Sequence, residues 1–299
     1  MSNRPRLLSL IVRTSLVLSL LCLANAHAAT FYVASTGKDT NPGTAAAPWV
    51  TIQRAANIVN PGDTVVVQPG TYKGAKFSRS GLPTAYIRFL GQPGAIVNSP
   101  SPLNSNGDNL WIRNAHYLIL EGFTVTNAPR SGIAVQGEPA APARGNIVRR
   151  NRCHHNGRWG IFTGYALSVR IESNETSYSA AEHGIYVSNS SDNPLIRFNR
   201  AHHNRACGIQ INADPSLAGD GIISGAVVSR NIAYENGVGG GAAINLASVR
   251  SSLISNNLLY NNHASGIAGG TMVRGMPSGL RGIVSSTIRL SWHPTGASR

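Results

Sequence analysis

The second half of the sequence repeats itself at intervals of about 25 residues. Asparagines at positions 151, 174, 199, 231 and 257 are separated by 23, 25, 32 and 26 residues. An Ile or Val lies three residues before each of them, and a Gly-Ile pair follows most of them after nine or ten residues. A repeat of this length cannot bury a core alone, so it predicts a solenoid in which like residues stack over like.

Each column of the repeat has a predicted physical role, because neighbouring coils lie about 4.8 Å apart. The asparagines are expected to form amide ladders along the stack, not a metal site. The glycines before Ile are expected to permit tight or positive-φ bends between the sheets. The dry interior is expected to contain two apolar columns: Val148, Ile171, Ile196, Val228 and Ile254, and Ile133, Ile161, Ile185, Ile209, Ile244 and Ile267.

The same register decides the state of the two cysteines that follow the leader. Cys153 and Cys207 fall two coils apart, which corresponds to roughly 9.6 Å along the axis. This distance exceeds the Cα separation of about 7 Å that a disulfide tolerates. Both thiols are therefore predicted to be free, with Cys153 in one column with Thr176 and Ala201.

The amino terminus has the pattern of a signal peptide over residues 1–28. Three arginines precede an apolar run at residues 15–23, and Ala26-His27-Ala28 is a cleavage site of the A-x-A type. We therefore expect a secreted or periplasmic protein with no membrane association after cleavage. The leader arginines and four arginines after Gly269 account for half of the formal charge of +14. The remaining basic charge favours an acidic polymer as partner, and the alternative is a solvated basic surface with no specific partner.

The expected domain organisation is one solenoid over residues 29–269, with a cap at residues 29–62. Apolar residues recur at helical spacing from Trp49 to Val59, so we expect a short capping helix that starts at Pro48. The first strand is expected at residues 63–68, followed by a turn at residues 69–72. Residues 270–299 lack Asn and acidic side chains, and only residues 283–290 keep a strand-like pattern. This tail is interpreted either as a divergent cap or as the product of a frameshift near residue 270.

Two segments carry a resemblance to a known superfamily. FYVASTGKDTNPGT at residues 31–44, followed by TIQRAANIVNPGDTVVVQPGTYKG at residues 51–74, resembles the cap and first coil of exported right-handed parallel β-helix proteins. That group includes pectate-lyase-like and alginate-lyase-like enzymes. EHGIYVSNSSDNPLIRFNRAHHN at residues 182–204 is similar to later coils of the same superfamily. The resemblance implies an all-β, right-handed parallel β-helix and a lyase-like protein that acts on an acidic, uronic polysaccharide.

The catalytic motifs of this superfamily match only in part. The segment Glu182–Ile185 is similar to the KHGI stretch of mannuronan epimerases, which implies a catalytic role for His183. The Asp-Pro-His-Asp or Asp-Pro-His-Glu motif of those epimerases is absent from the sequence. Calcium-dependent pectate lyases use an Asp cluster and a Lys base, but here Asp192, Asp214 and Asp220 are scattered and no Lys follows Lys76. The choice among lyase, epimerase and hydrolase therefore stays open.

The outward neighbours of the Gly-Ile columns define one candidate binding face. Uronate β-elimination requires neutralisation of a carboxylate, removal of the C5 proton and protonation of the leaving oxygen. His183 is interpreted as the base and Tyr186 as the acid, with Arg158 or Arg205 neutralising the carboxylate. The predicted substrate-binding residues are Arg158, Trp159, Phe162, Arg205, Gln210, Asn212 and Asn245.

The alternative from a different class is a non-catalytic polysaccharide-binding or surface protein that uses the same face. No cofactor is expected, although Asp214 and Asp220 with Asn212 offer a weak calcium site without regular ligand spacing. The His154-His155 and His202-His203 pairs lie two coils apart, too far to share one metal ion. We expect a monomer that binds no nucleic acid.

The frameshift interpretation of the tail is testable in the gene. Translating the two shifted frames beyond codon 270 is expected to restore an Asn-rich repeat if a frameshift truncated a longer solenoid. If neither frame restores it, the tail is the native end of the fold.

Overall fold

The described residues form many short strands of two to six residues separated by sharp turns, as expected when each side of a coil is short. The computed structural model describes residues 28–270, together with the backbone of residues 284–286 and 289–291. Except for Ala28, the predicted signal peptide lies outside the described residues, as does most of the predicted tail.

The helix and strands have the following bounds in chain order. The cap and first coils contain β1 (Thr30–Val33), α1 (Ile52–Ile58), β2 (Thr64–Val67), β3 (Gly70–Lys73), β4 (Ala75–Phe77), β5 (Ile87–Gly91), β6 (Ala95–Ser99), β7 (Leu110–Arg113), β8 (Leu118–Glu121), β9 (Thr124–Thr126) and β10 (Ser131–Gln136). The middle coils contain β11 (Ala143–Arg144), β12 (Ile147–Arg149), β13 (Arg152–His154), β14 (Trp159–Gly164), β15 (Ala166–Leu167), β16 (Arg170–Glu172), β17 (Glu175–Ser177), β18 (Ile185–Ser188), β19 (Leu195–Arg197) and β20 (Arg200–His202). The last coils contain β21 (Ile209–Asn212), β22 (Ile223–Ser224), β23 (Val227–Ser229), β24 (Ile232–Tyr234), β25 (Ile244–Ala247), β26 (Val249–Arg250), β27 (Leu253–Ser255), β28 (Leu258–Tyr260), β29 (Ile267–Gly270), β30 (Val284–Ser286) and β31 (Arg289–Ser291).

These strands stack into three long parallel sheets that form the sides of the solenoid. The ten-stranded sheet has the order β1-β2-β5-β8-β12-β16-β19-β23-β27-β30. The nine-stranded sheet has the order β3-β6-β9-β13-β17-β20-β24-β28-β31, and the eight-stranded sheet the order β4-β7-β10-β14-β18-β21-β25-β29. Except at the sheet ends, each of these strands lies between its counterparts in the preceding and following coils, which confirms the predicted parallel β-helix; β11-β15 and β22-β26 form two further two-stranded parallel sheets.

The interior columns are those that the repeat predicts. Val148, Ile171, Ile196, Val228 and Ile254 are consecutive partners across the ten-stranded sheet. Ile133, Ile161, Ile185, Ile209, Ile244 and Ile267 do the same in the eight-stranded sheet. Cys153 pairs with Thr176, which pairs with Ala201, and both cysteines are free and buried. The predicted core and the predicted state of both thiols are thus confirmed.

The ladder asparagines are buried and hydrogen-bonded to one another. The side-chain oxygen of Asn174 accepts from the backbone N–H of Asn151 at 3.0 Å and from its side-chain amide at 3.1 Å. The same two bonds recur from Asn174 to Asn199, from Asn199 to Asn231 and from Asn231 to Asn257. A second ladder joins Asn204, Asn236 and Asn262. The predicted amide ladders are confirmed.

The glycines before Ile have a different role from the one the sequence suggests. Gly160, Gly184 and Gly208 do not adopt positive φ. A Cβ atom at Gly184 would lie 2.6 Å from the side-chain amide of Asn204 and 2.8 Å from the carbonyl oxygen of Gly208, so close approach of the next coil requires glycine there. The left-handed bends before the ladder asparagines are instead made by non-glycine residues: Arg150, Ser173, Phe198, Arg230 and Asn256.

The capping helix is shorter than predicted and starts later. It spans Ile52–Ile58, and the side chain of Thr51 accepts from the backbone N–H of Arg54 as an N-cap. Trp49 precedes the helix, forms a bridge to Val33 and stacks on Phe31 with ring centroids 4.9 Å apart. The predicted start at Pro48 is therefore wrong, because Trp49 belongs to the sheet end that the helix covers. Within the described ranges, no helix is long and apolar enough to cross a bilayer.

One further detail differs from the expectations. Residues 70–73 form strand β3, although a turn is predicted at residues 69–72. In the tail, β30 and β31 pair in parallel with β27 and β28; β30 lies within the segment predicted to be strand-like, and β31 extends one residue beyond it.

The interior position of Ile185 yields a stability prediction. Ile185 is fully buried, so Ile185→Asp places an unpaired charge in the dry core and is expected to cost about 4 kcal/mol or more of unfolding free energy. Denaturant or thermal unfolding measures the loss. The matched control is Ile232→Asp, because that isoleucine is 38% exposed and should tolerate the charge far better. Equal stability of the two variants would contradict the assigned register.

Candidate functional site

The outer face of the eight-stranded sheet carries one continuous column of side chains, here called the outer strip. Its members are partners in adjacent strands from β4 to β29: Lys76, Trp111, Ala134, Phe162, Tyr186, Gln210, Asn245 and Ala268. Side chains alternate between the two faces of a strand, so the neighbouring Ile and Val columns point inward and fix this column outward. Asn212 belongs to the parallel column two residues further along each strand.

Aromatic rings form a packed cluster at the centre of the outer strip. Trp111, Trp159 and Phe162 are only 6–7% exposed and pack together with Ala134, and Tyr186 packs against them. Trp159 stacks on Phe162 with ring centroids 4.5 Å apart and planes 17° apart. Tyr186 lies 5.4 Å from Trp159 and 5.5 Å from Phe162. This aromatic cluster (Trp111, Trp159, Phe162 and Tyr186) lies on the outside of the sheet, separate from the interior core.

Four cationic side chains cover the aromatic cluster. Lys76 Nζ lies 5.0 Å from the Trp111 ring centroid, and the Arg113 guanidinium lies 5.8 Å from the same centroid. The Arg130 guanidinium lies 5.3 Å from Phe162, and that of Arg158 lies 4.5 Å from Trp159. Cations at these distances are attracted to the negative face of a ring. The outer strip therefore presents a layer of positive groups over a layer of aromatic rings.

Carboxylates hold three of these four cations in place. Asp108 is fully buried, accepts from Arg130 Nε at 2.8 Å and also accepts from the backbone N–H of Ser131. Arg158 pairs with Glu182, and Arg113 pairs with Glu138. Among the described residues, Lys76 has no carboxylate partner. The positive layer is thus neutralised at its arginines and remains uncompensated at Lys76.

Glu182 links the cations and rings to the predicted catalytic histidine. One carboxylate oxygen accepts from Arg158, and the other accepts from the indole N–H of Trp159 at 2.8 Å. The second oxygen also lies 3.8 Å from Nε2 of His183. A single carboxylate therefore orients Arg158 and Trp159 and lies close to the His183 ring.

His183 is held as a neutral ring with a defined tautomer. The backbone N–H of Cys207 donates to Nδ1 at 3.1 Å, so the proton of the neutral ring lies on Nε2. Burial of the imidazole, with the Arg158 charge acting in the same direction, lowers the pKa of His183 to about 4, although the Glu182 carboxylate acts to raise it. The imidazole is therefore neutral at physiological pH and offers an N–H donor towards the outer strip.

Tyr186 lies beside His183 on the same face. The two ring centroids are 5.3 Å apart in an edge-to-face arrangement. The side-chain amide of Asn212 donates to the Tyr186 hydroxyl oxygen at 3.4 Å. The predicted pair of His183 and Tyr186 is close enough for both to contact one sugar unit.

The predicted binding residues divide into three groups. Arg158, Trp159, Phe162 and Asn212 join His183 and Tyr186 in one connected site. Gln210 lies one coil further, where its side-chain oxygen accepts from Asn245 at 2.8 Å and from the thiol of Cys207 at 3.3 Å. The Arg205 side chain is exposed and makes no ion pair or hydrogen bond among the described residues.

Sequence reasoning missed several residues of the site. Lys76, Trp111 and Arg113 lie in the first coils, which lack the Asn marker that aligns the later ones. Asp108, Arg130 and Glu182 lie in turns, whose path the repeat does not specify. One sequence feature could have identified Trp111. It lies between Leu110 and Ile112 in one strand, so if these two side chains point inward, the indole points outward.

The other predicted clusters are engaged in local contacts. Tyr178 stacks on His155 at 4.8 Å and packs on His203 at 5.0 Å, so it separates the two histidine pairs. Asp214 accepts from Ser216, and Asp220 accepts from the backbone N–H of Ile222. In the part of the chain that the structure describes, no group of three or more His, Cys, Asp or Glu side chains is arranged to hold a metal ion.

Comparison with known proteins gives a family and a set of similar folds. Residues 31–182, about half of the chain, match the family model described as a Pel9A-like right-handed β-helix region. No protein with a curated description matches the sequence significantly.

Several solved structures have a similar fold. Pectate lyase Pel9A is 16% identical, with 91% of this chain and 81% of that chain covered and a TM-score of 0.65. An alginate lyase from Paenibacillus sp. str. FPU-7 is also 16% identical, with coverage of 90% and 96% and a TM-score of 0.56. A rhamnogalacturonan lyase is 16% identical, with coverage of 78% and 69% and a TM-score of 0.56. The predicted right-handed β-helix of the lyase superfamily is confirmed at the level of the fold.

The buried neutral state of His183 predicts a pH-dependent stability. An unfolded chain protonates this histidine below about pH 6.5, whereas the folded chain does so only near pH 4. The contribution of neutral His183 to the unfolding free energy is therefore fully present above about pH 6.5. It is lost as the pH falls from about 6.5 to 4, by up to about 3 kcal/mol. Unfolding free energies at pH 7 and pH 4.5 measure the loss.

The variant His183→Asn isolates this contribution, because its side-chain oxygen can still accept from Cys207. We expect the variant to lose about 2 kcal/mol less than the wild type between the two pH values. His263→Asn is the control, since that side chain is about half exposed. An equal pH-dependent loss in His183→Asn and the wild type would show that His183 is not buried as a neutral ring.

Proposed function

The chain belongs to the family whose members contain a Pel9A-like right-handed β-helix region, and from this premise we propose that it binds an acidic, uronic polysaccharide along the outer strip and cleaves it by β-elimination. The proposal includes export, so that the mature chain meets the polymer in the periplasm or outside the cell, as the leader predicts.

The observation that supports the proposal is the layer of cations over the aromatic cluster. Protein carboxylates pair with Nε and Nη2 of Arg130 and Arg158, but Nη1 of each makes no hydrogen bond among the described residues and can donate to a substrate carboxylate. The rings beneath supply an apolar support for the same ligand. From Lys76 to Gln210 the strip crosses five coil steps, or roughly 24 Å, which is long enough for several sugar units.

The uncompensated cations lie towards the two ends of this length. Lys76 is at the start of the strip, and Arg205 lies in the turn that precedes β21, one coil beyond His183. Carboxylates of the protein already pair with Arg113, Arg130 and Arg158 between them. An acidic polymer therefore gains most at the ends and meets a nearly neutral, aromatic centre.

The geometry supports a division of roles that differs from the sequence-based interpretation. Since Nδ1 of His183 is occupied and Nε2 carries the proton, His183 acts in our proposal as a donor to the substrate carboxylate instead of as the base. In the proposed step the Tyr186 hydroxyl oxygen takes the C5 proton while its own proton passes to the leaving oxygen. The C4–O bond breaks and a C4–C5 double bond forms, so Tyr186 begins and ends as a neutral phenol and the atoms and charges balance.

A second candidate function is binding without turnover. It is favoured by one specific feature: the occupied Nδ1 of His183 removes the most familiar base from the site. In that case the same strip holds the polymer and Tyr186 contributes only contact surface.

A pair of variants distinguishes the two functions. Tyr186→Phe removes one oxygen, so we expect turnover of pectate or alginate to fall by about 100-fold or more while polymer affinity stays within about 3-fold. Trp111→Ala opens the aromatic cluster and is expected to weaken binding by about 10-fold. Ultraviolet absorbance of the unsaturated product measures turnover, and calorimetry measures binding.

The matched control is Tyr234→Phe, which makes the same change on the outer face of the nine-stranded sheet, where Tyr234 stacks on Tyr260 at 4.9 Å. It is expected to leave both quantities unchanged. Wild-type binding without any unsaturated product would favour the binding function. No binding of any uronic polymer by the wild type would overturn both.

A further inference from the structure

A cavity of about 590 Å³ lies at the corner of the first coil, outside the site described above. It is bordered by the end of β1, the start of the capping helix, strand β3 and the loop after β6. Its lining includes Ser35, Val50, Thr71, Lys73, Pro102 and Leu103. The volume lies within the range of about 300–1,000 Å³ that is usual for small-molecule sites.

Some polar side chains of the cavity are hydrogen-bonded within the protein, and others have no partner among the described residues. The Ser101 hydroxyl donates to Gln53 at 3.0 Å and accepts from the backbone N–H of Leu103, and the Thr51 hydroxyl donates to Asp39 at 2.6 Å. By contrast, Lys73 and the hydroxyls of Ser35 and Thr71 are exposed. None of these three side chains has a hydrogen bond or ion pair among the described residues. The cavity therefore offers one ammonium and two hydroxyls, opposite an apolar wall.

The cavity is connected to the start of the outer strip. Gln53 lines the cavity and exchanges two hydrogen bonds with the backbone of Lys76, at 2.8 and 3.0 Å. Lys73 and Lys76 are three residues apart, so their Cα atoms lie within about 10 Å of each other. The loop that supplies Leu103 to the cavity also supplies Asp108, which holds Arg130 over the aromatic cluster.

We propose that this cavity is a terminal subsite that binds one uronic acid unit at the end of the acidic chain held on the outer strip. The ammonium of Lys73 pairs with the sugar carboxylate, because it is the only cation in the described lining and lacks a carboxylate partner. The wall formed by Val50, Pro102 and Leu103 covers the C–H face of the ring, and the free hydroxyls of Ser35 and Thr71 bond to its hydroxyls.

This subsite rests on the proposed function, since the strip is what delivers the polymer end to the corner. Neutral sugars lack the group that Lys73 recognises, so they are expected to bind at least about 10-fold more weakly. A uronic acid monomer is small enough to enter the cavity alone, with an expected Kd of about 1 mM.

The test is a chemical-shift titration of the full mature chain with labelled methyl groups. Resonances of Val50 and Leu103 report on the cavity, and the indole N–H of Trp111 reports on the strip. Galacturonate and mannuronate are added as monomers and as hexamers, with galactose as the neutral probe. We expect saturable shifts of both methyl groups with at least one uronate monomer and none of comparable size with galactose.

Two variants assign the binding to Lys73. Lys73→Ala is expected to weaken the monomer-induced methyl shifts and the affinity for the matching hexamer by about 10-fold. Lys38→Ala removes another lysine of the cap that does not line the cavity and is expected to change neither. Trp111→Ala should weaken binding of the hexamer but leave the monomer-induced methyl shifts unchanged. This result would distinguish binding in the cavity from binding along the strip.

The outcomes distinguish this proposal from the function of the strip. If hexamers shift the Trp111 indole but neither methyl group responds to any uronate, the subsite is overturned and the strip is retained. An unchanged hexamer affinity in Lys73→Ala also overturns the subsite. Monomer shifts without any hexamer binding would overturn both the terminal role of the cavity and the proposed function.

Discussion

The stacking of one coil on the next through buried amides is the constraint on which the rest of the molecule depends. Asn174, Asn199 and Asn231 each accept two hydrogen bonds from the coil before. The amide of each donates to a carbonyl of that coil and to the next asparagine, as Asn199 does with Ile171 and Asn231. Because all of these groups are buried, a shift of register by one residue would leave several unsatisfied at a cost of about 1–3 kcal/mol each. The ladder therefore locks the coils that it spans, from Asn151 to Asn257, to their neighbours, and it fixes the parallel register of the three sheets there.

Because the register is fixed, outward-facing residues of successive coils form columns in which the residue type can vary. The inward positions must be apolar and of similar size, whereas their outward neighbours lie about 4.8 Å from the equivalent residues of the next coil whatever they are. Rings in adjacent coils consequently contact one another, which explains how Phe162 and Tyr186 reach the same cluster from separate strands. The turns before the strands then supply Arg130, Arg158 and Glu182 to the edge of this column. The scaffold provides the spacing, and the outward residues and turns provide the chemistry.

The sequence contains enough information for the scaffold and for the middle of the candidate site. The Asn and Gly-Ile markers align residues 148–267, so they place His183, Tyr186 and Phe162 on one face, and the register of β14, β18 and β21 agrees. The markers are absent from the first coils, and for that reason Lys76 and Trp111 were not aligned with the later residues. The partnership of Asp108 with Arg130 depends on the path of two turns, which no periodicity encodes. The predicted helix start is too early because Trp49 fits the helical spacing of apolar residues, although it lies at the end of the sheet, where it pairs with Val33 and stacks on Phe31.

The protonation of His183 shows why a list of candidate site residues does not determine a mechanism. The register predicts that His183 and Tyr186 are neighbours, but the tautomer depends on a backbone N–H of Cys207 in the following coil. Cys207 lies in the turn before β21, and its backbone N–H donates to Nδ1 of the imidazole, which is thereby occupied as a hydrogen-bond acceptor. A residue whose type suggests a base is thereby a hydrogen-bond donor, and for this reason the proposed mechanism assigns the proton transfer to Tyr186. Since the contact comes from the main chain, substitution of Cys207 alone would not release the ring, and only a change in the path of this turn would restore His183 as a base.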